Sequence, residues 1–204
     1  MGFLEELRLQ RWDDHRYYHH SRINQALHLF SACCFLTAYA LLLVSPAAAA
    51  VIGWLLAMTS RQMGHFFFEP RGYDPVNDAT HEHKEEIKVG YNLFRKVILM
   101  SLWAASPLFL YLDPGCFGLL APHRDAAGYI VNLGILWLAL GILAIVFRVV
   151  QLYFKVNLQT GLVWATKILT DPFHDFWLYR KSPLYLLKGE LYDQRLREAV
   201  LRHG

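Results

Sequence analysis

Residues 24–60 contain no Asp, Glu, Lys or Arg, an apolar run of 37 positions. As one helix it would rise about 55 Å, nearly twice the ~30 Å hydrocarbon core of a bilayer. Ser45-Pro46 divides the run, and proline disfavours a helix continuing through that point. The pattern therefore predicts a helical hairpin with spans near 26–45 and 47–66. A third apolar run, bounded by Arg95-Lys96 and Asp113-Pro114-Gly115, predicts a span near 96–113. A fourth, charge-free over residues 126–147, predicts one near 127–148. The expected fold is all-α: a polytopic membrane helical bundle of about four transmembrane helices, forming a single domain over 1–204. A buried hairpin in a soluble core is the plainer alternative, but two such runs in so short a chain exceed what a core needs. The 155–204 tail interleaves Trp, Tyr and Phe with bases, which predicts interfacial helices on the same side as the N-terminus.

Charge tests this arrangement. Four spans divide the 20 Lys and Arg residues so that all but Arg124 fall on the side of the two termini. The positive-inside rule then places both termini in the cytoplasm, at a bacterial inner membrane or an endoplasmic reticulum membrane. Charged residues make up only 18% of the chain, and the net charge of +3 with no basic stripe gives no reason to expect nucleic acid. The three cysteines form no disulfide framework or zinc-ribbon spacing. The N-terminal residues lack the apolar stretch of a signal peptide.

Ten histidines are more than average usage supplies, and nine of them fall on the basic side. His20, Asn24 and His28 follow i, i+4, i+8, one stripe of a helix entering the membrane. His65 and Glu69 are also four apart, at the exit of the second span, and the hairpin returns His65 to the depth of His28. Imidazole is the commonest metal ligand, so this group is a candidate metal site at the rim of an apolar bundle. Amphipathic interfacial histidines with no ligand are the plainer reading of any one of them. His81 and His83 lie in DATHEHKEE, where Asp78 or Thr80 can cap a helix. Asp171 and Asp175 flank His174 as weaker candidates.

The segments YYHHSRINQALH (17–28) and GHFFFE (64–69) resemble the Fe(II)-dependent 2-hydroxy fatty acid dioxygenases of fungal phytosphingosine degradation and their bacterial relatives. That family pairs a His-His…Asn…His segment with a later Gly-His…Phe-Glu segment. It continues Glu-x-x-Arg-Pro-Ala, whereas here Glu69 is followed by Pro70-Arg71-Gly72-Tyr73-Asp74. The resemblance implies α-oxidation, in which a 2-hydroxy fatty acid in the bilayer reacts with O2 and becomes a fatty acid one carbon shorter. It implies Fe(II) as cofactor, held by His20, His28 and His65, with His81 or His83 completing the set. Glu69 and Asn24 would orient the imidazoles, with Glu69 as a direct ligand the alternative, and Arg61, Arg71 or Lys84 would hold the substrate carboxylate. Two alternatives stand beside it. A diiron lipid hydroxylase or desaturase would need histidine boxes that this chain lacks, and a non-catalytic protein would bind metal or lipid only.

Overall fold

A computed structural model describes residues 1–69 and 72–203. Among these the fold is all-helical, with two isolated antiparallel bridges, Ser21 with Tyr192 and Asp74 with Ala79, and no strand. Helix α1 (Phe3–Tyr18) precedes α2 (Arg22–Leu42). A turn then leads into α3 (Pro46–Ile52), a π-helical segment (Gly53–Met58) and α4 (Thr59–Phe67). Then come α5 (His81–Ile87), α6 (Leu93–Leu112), α7 (Ala126–Lys155), α8 (Leu158–Tyr179), α9 (Ser182–Leu187) and α10 (Gln194–His203).

Local chemistry sets these boundaries. Side-chain oxygens of Ser21, Ser45, Thr80, Asn92, Asp125 and Asn157 each accept a backbone N–H in the first turn of the helix that follows. Pro46 occupies the first turn of α3, where its missing N–H costs nothing. Three helices are long and apolar enough to cross a membrane: α2, α6 and α7. Residues 46–67 form a fourth rod in three parts, because Gly53 and Thr59 at the junctions keep helical dihedrals. Within it the N–H and Oγ1 of Thr59 both reach the carbonyl of Trp54, five residues back.

The rod packs back along α2 and crosses α7. That crossing is close: a Cβ on Gly134 would lie 2.5 Å from the carbonyl oxygen of Ala47, so the small residue is what allows the backbones to approach. Deeper in the bundle, Trp54 stacks on Trp103 and donates Nε1–H to the Trp137 carbonyl at 2.8 Å. Trp137 in turn donates to Ser106 Oγ at 2.7 Å. These bonds satisfy indole N–H groups among the apolar side chains of α3, α6 and α7.

Helix α8 is one continuous element and packs against α1, α2 and α7. It buries a polar stripe, Lys167, Asp171, Asp175 and Tyr179, spaced four apart along one face. At the start of α6, Arg148 of α7 donates to the carbonyls of Val89 and Gly90, and Tyr91 donates to Ala144 O at 2.6 Å. These contacts fix the linker that leads from α5 into α6.

Candidate metal centre

Three buried histidines converge where α1, α2, α4 and α8 meet: His19, His28 and His65, each offering a ring nitrogen within 4.8 Å of the others. His19 ends α1, His28 lies on the second turn of α2, and His65 on the last turns of α4. The Nε2 atoms of His19 and His28 are 3.2 Å apart. Two nitrogens at that separation, each about 2.0–2.1 Å from one metal ion, subtend an angle of about 100°, within the range of tetrahedral and octahedral sites.

Each imidazole is held from behind through Nδ1. His28 faces Asp175 Oδ2 at 3.4 Å, His65 faces Glu69 Oε2 at 2.8 Å, and His19 faces the Tyr179 hydroxyl at 3.0 Å. A carboxylate can only accept, so His28 and His65 carry their proton on Nδ1 and turn a lone pair inward. This is the outer arrangement typical of metal-ligating histidines, in which the partner fixes tautomer and ring orientation. Burial, reinforced by the neighbouring His28, lowers the His19 pKa well below its usual value. Burial likewise pulls His15 down to about 4. At neutral pH both rings are therefore neutral, which for His19 is the state that ligation requires.

The carboxylates behind the histidines are themselves paired. Arg61 Nη1 bonds Asp175 at 2.9 Å and Arg61 Nη2 lies 3.6 Å from Asp171. Lys167 bonds both Asp14 and Asp171 at 3.0 Å. Burial works against the charge on Asp14, yet Lys167 and the surrounding cations outweigh it and hold the carboxyl well below its usual range. Lys88 binds Glu69 at 3.0 Å and Glu85 at 3.3 Å. Helix α4 comes close to α2 because residue 64 is glycine: a Cβ there would meet Asn24 Oδ1 at 2.1 Å and His28 Cδ2 at 3.5 Å. Asn24 donates Nδ2–H to Tyr18 O at 2.8 Å, bracing the break between α1 and α2, while its buried Oδ1 has no hydrogen-bond partner among the described residues.

The expected ligand set is thus changed at one position. His28 and His65 belong to the cluster, but His19 takes the place given to His20. The His20 ring turns away, its Nε2 against Arg16 O, Asn77 Nδ2 and Asp74 Oδ2. Ser21 caps a new helix, so residue 20 lies outside the helical stripe that carries Asn24 and His28. His81 lines a cleft beside His65 and Glu69 without joining the cluster, and His83 is exposed on α5. His174 lines a second cleft on the far side of His19. Glu69 and Asn24 stand behind or beside ligands, Asn24 through packing rather than a bond to an imidazole. Of the three cations considered for a substrate carboxylate, Arg61 is already engaged by Asp171 and Asp175. Lys84 is fully buried, 3.9 Å from Asp74, and Arg71 lies outside the described residues.

The partners missed from sequence are His19 and Tyr179; Asp175, a weaker candidate there beside His174, supports His28 instead. For Tyr179 and Asp175 the signal was the four-residue spacing of Lys167, Asp171, Asp175 and Tyr179, polar positions recurring along an otherwise apolar helix. Comparison with protein-family models, characterised proteins and solved structures finds no match in any of the three.

Proposed function

We propose that this protein is an integral membrane, non-haem iron dioxygenase that converts 2-hydroxy fatty acids to fatty acids one carbon shorter. The observation that carries the reading is the His19–His28–His65 cluster, with every Nδ1 held by an oxygen partner. The residues fit a metal ion: with His28 Nε2 unprotonated, its 3.2 Å approach to His19 Nε2 needs either a proton or a cation between two lone pairs. The sequence resemblance at 17–28 and 64–69 supplies the choice of Fe(II) and of substrate. In this reading the rod at 46–67 is a fourth span, both termini are cytoplasmic, and α8 to α10 lie at that face of the membrane.

When bound, Fe(II) supplies the redox centre and the template on which O2 and the substrate's hydroxyl and carboxylate meet. The chain's own contribution is positional. Asp175, Glu69 and Tyr179 fix the three rings; Arg61 and Lys88 keep the carboxylates of Asp175 and Glu69 oriented and charged. The apolar flanks of α2 and α6 provide a bilayer-facing path for an acyl chain. The reaction R–CHOH–COOH + O2 → R–COOH + CO2 + H2O balances without an external reductant. That separates it from a diiron hydroxylase, which needs an electron donor; among the described residues only one three-histidine group is found, too few for two such irons.

The test is metal analysis of purified protein, followed by O2 uptake on 2-hydroxypalmitate as Fe(II) is restored. Iron-dependent uptake with release of CO2 and pentadecanoate is expected, and His28→Ala and His65→Ala should abolish it. Stoichiometric iron with no turnover of any 2-hydroxy acid would leave a metal-binding protein of another kind.

A further inference from the structure

A narrow cleft beside the cluster is bounded by the end of α4, by α5 and by the start of α6. His65, Glu69, His81, Glu85, Lys88 and Lys96 line it. Its two lysines match its two glutamates in number, but both carboxylates are drawn to one of the lysines. Lys88 is engaged by Glu69 and Glu85 and sits 3.6 Å from the centre of the Tyr18 ring. Glu69 also holds His65, and Glu85 also accepts the Leu93 N–H at 2.8 Å. Lys96 is left over: among the described residues its ammonium makes no hydrogen bond or ion pair.

With Glu69 and Glu85 turned to Lys88, the partly buried Lys96 has donors to offer an anionic ligand. Its place in the chain says what kind. From Val97 to the end of α6 at Leu112 there is no further charge, and within that apolar stretch only Ser106 and Leu110 are buried. An ammonium at the threshold of a lipid-facing helix suits a ligand with an anionic head and a single apolar chain, and His65 lines the same cleft. We propose that Lys96 is the headgroup-binding residue of this protein, receiving the carboxylate of a single-chain anionic amphiphile and setting its head next to the three histidines. This rests on the reaction proposed above only for the identity of the chain's head, a carboxylate with an adjacent hydroxyl.

The test is equilibrium binding of radiolabelled 2-hydroxyhexadecanoate to metal-free protein in phosphatidylcholine nanodiscs. Wild type should bind saturably, Lys96→Met about tenfold or more weakly, the size of one lost charge-assisted hydrogen bond, and Lys96→Arg close to wild type. The neutral isostere 1,2-hexadecanediol should bind wild type and Lys96→Met alike, and excess acetate should not displace the labelled acid. Displacement by acetate would mean a small-anion site and overturn the amphiphile. Equal binding of the acid by wild type and Lys96→Met, parallel loss of acid and diol, or no saturable binding to wild type would also overturn the assignment. O2 uptake on the same acid is read separately. Lys96-dependent binding without turnover retains the headgroup site and removes the reaction; turnover with an unchanged KM in Lys96→Met does the reverse.

Discussion

The Tyr179 hydroxyl lies 3.0 Å from Nδ1 of His19, and the same oxygen lies 3.0 Å from Nδ1 of His15. One hydroxyl proton cannot serve both. If Tyr179 donates to His19, the His19 proton sits on Nε2 and points at His28, closing a metal-free network. If His19 donates from Nδ1, its Nε2 lone pair is released inward and Tyr179 donates to His15 instead. Metal uptake should therefore reverse the direction of a two-bond chain without changing the number of protons in it. Tyr179→Phe is expected to keep the fold and to lose about 10–100-fold in metal affinity, measured by competition with a chelator. Unchanged affinity would show that the hydroxyl does not set the tautomer.

His19 and its neighbour His20 should behave oppositely. His19→Ala removes one of three ligands and is expected to abolish stoichiometric metal binding. His20→Ala should retain the metal but destabilise the protein by about 1–3 kcal/mol, because its partners Asn77 and Asp74 lose a buried bond. Metal content and the unfolding midpoint, measured together on both variants, separate the two roles.

Gly64→Ala places a methyl group 2.1 Å from Asn24 Oδ1. Helices α2 and α4 must part, with an expected loss of about 1–3 kcal/mol and weaker metal binding, since His28 and His65 ride on those helices. Gly72→Ala, whose Cβ would meet nothing within 4 Å among the described residues, should leave both properties unchanged. Equal behaviour of the two variants would contradict the close approach.

Acid should destabilise the metal-free protein in a defined window. Burial holds His15 at about 4 and His19 well below its usual value. As pH falls below about 6.5, the unfolded chain takes up protons that the folded chain refuses. Stability is thus full above that pH and declines as pH drops toward 4, by about 1.4 kcal/mol per unit for each such histidine. The depressed carboxyl of Asp14 adds a loss of the same sign at lower pH. Unfolding midpoints in nanodiscs between pH 7.5 and 4.5 should show this decline, and His15→Phe should flatten it. A midpoint that rises on acidification would refute the assignment.

Much of the architecture is legible in one dimension because apolar runs and their punctuation are local properties. Ser45-Pro46 is visible as a break, and the chain turns back there, α3 and α4 packing along α2. The hairpin then makes a meeting of His28 and His65 readable from spacing alone. His19 was not readable that way, because a stripe counted back from His28 assumes an unbroken helix, and Ser21 starts a new one. The only local sign was a serine before a helical run. Asp175 and Tyr179 lie 147 and 160 residues from the histidines they hold, and no short-range pattern joins them. The tail's aromatic and basic residues suggest an interfacial surface, which obscures the buried polar stripe of α8.

The π-helical segment at Gly53–Met58 has a consequence for how this chain tolerates change. A wider turn absorbs an extra residue, so everything after it is rotated by roughly 100° relative to an unbroken α-helix. The direction in which His65 faces is therefore set by a residue count some seven positions upstream, in a stretch that carries no histidine or charged residue. Deleting one residue from that stretch would leave hydrophobicity and span length almost untouched while turning His65 toward lipid. In such a chain a one-residue indel in bland sequence is more damaging than most substitutions, and alignments that slide gaps freely through that stretch would misplace the centre.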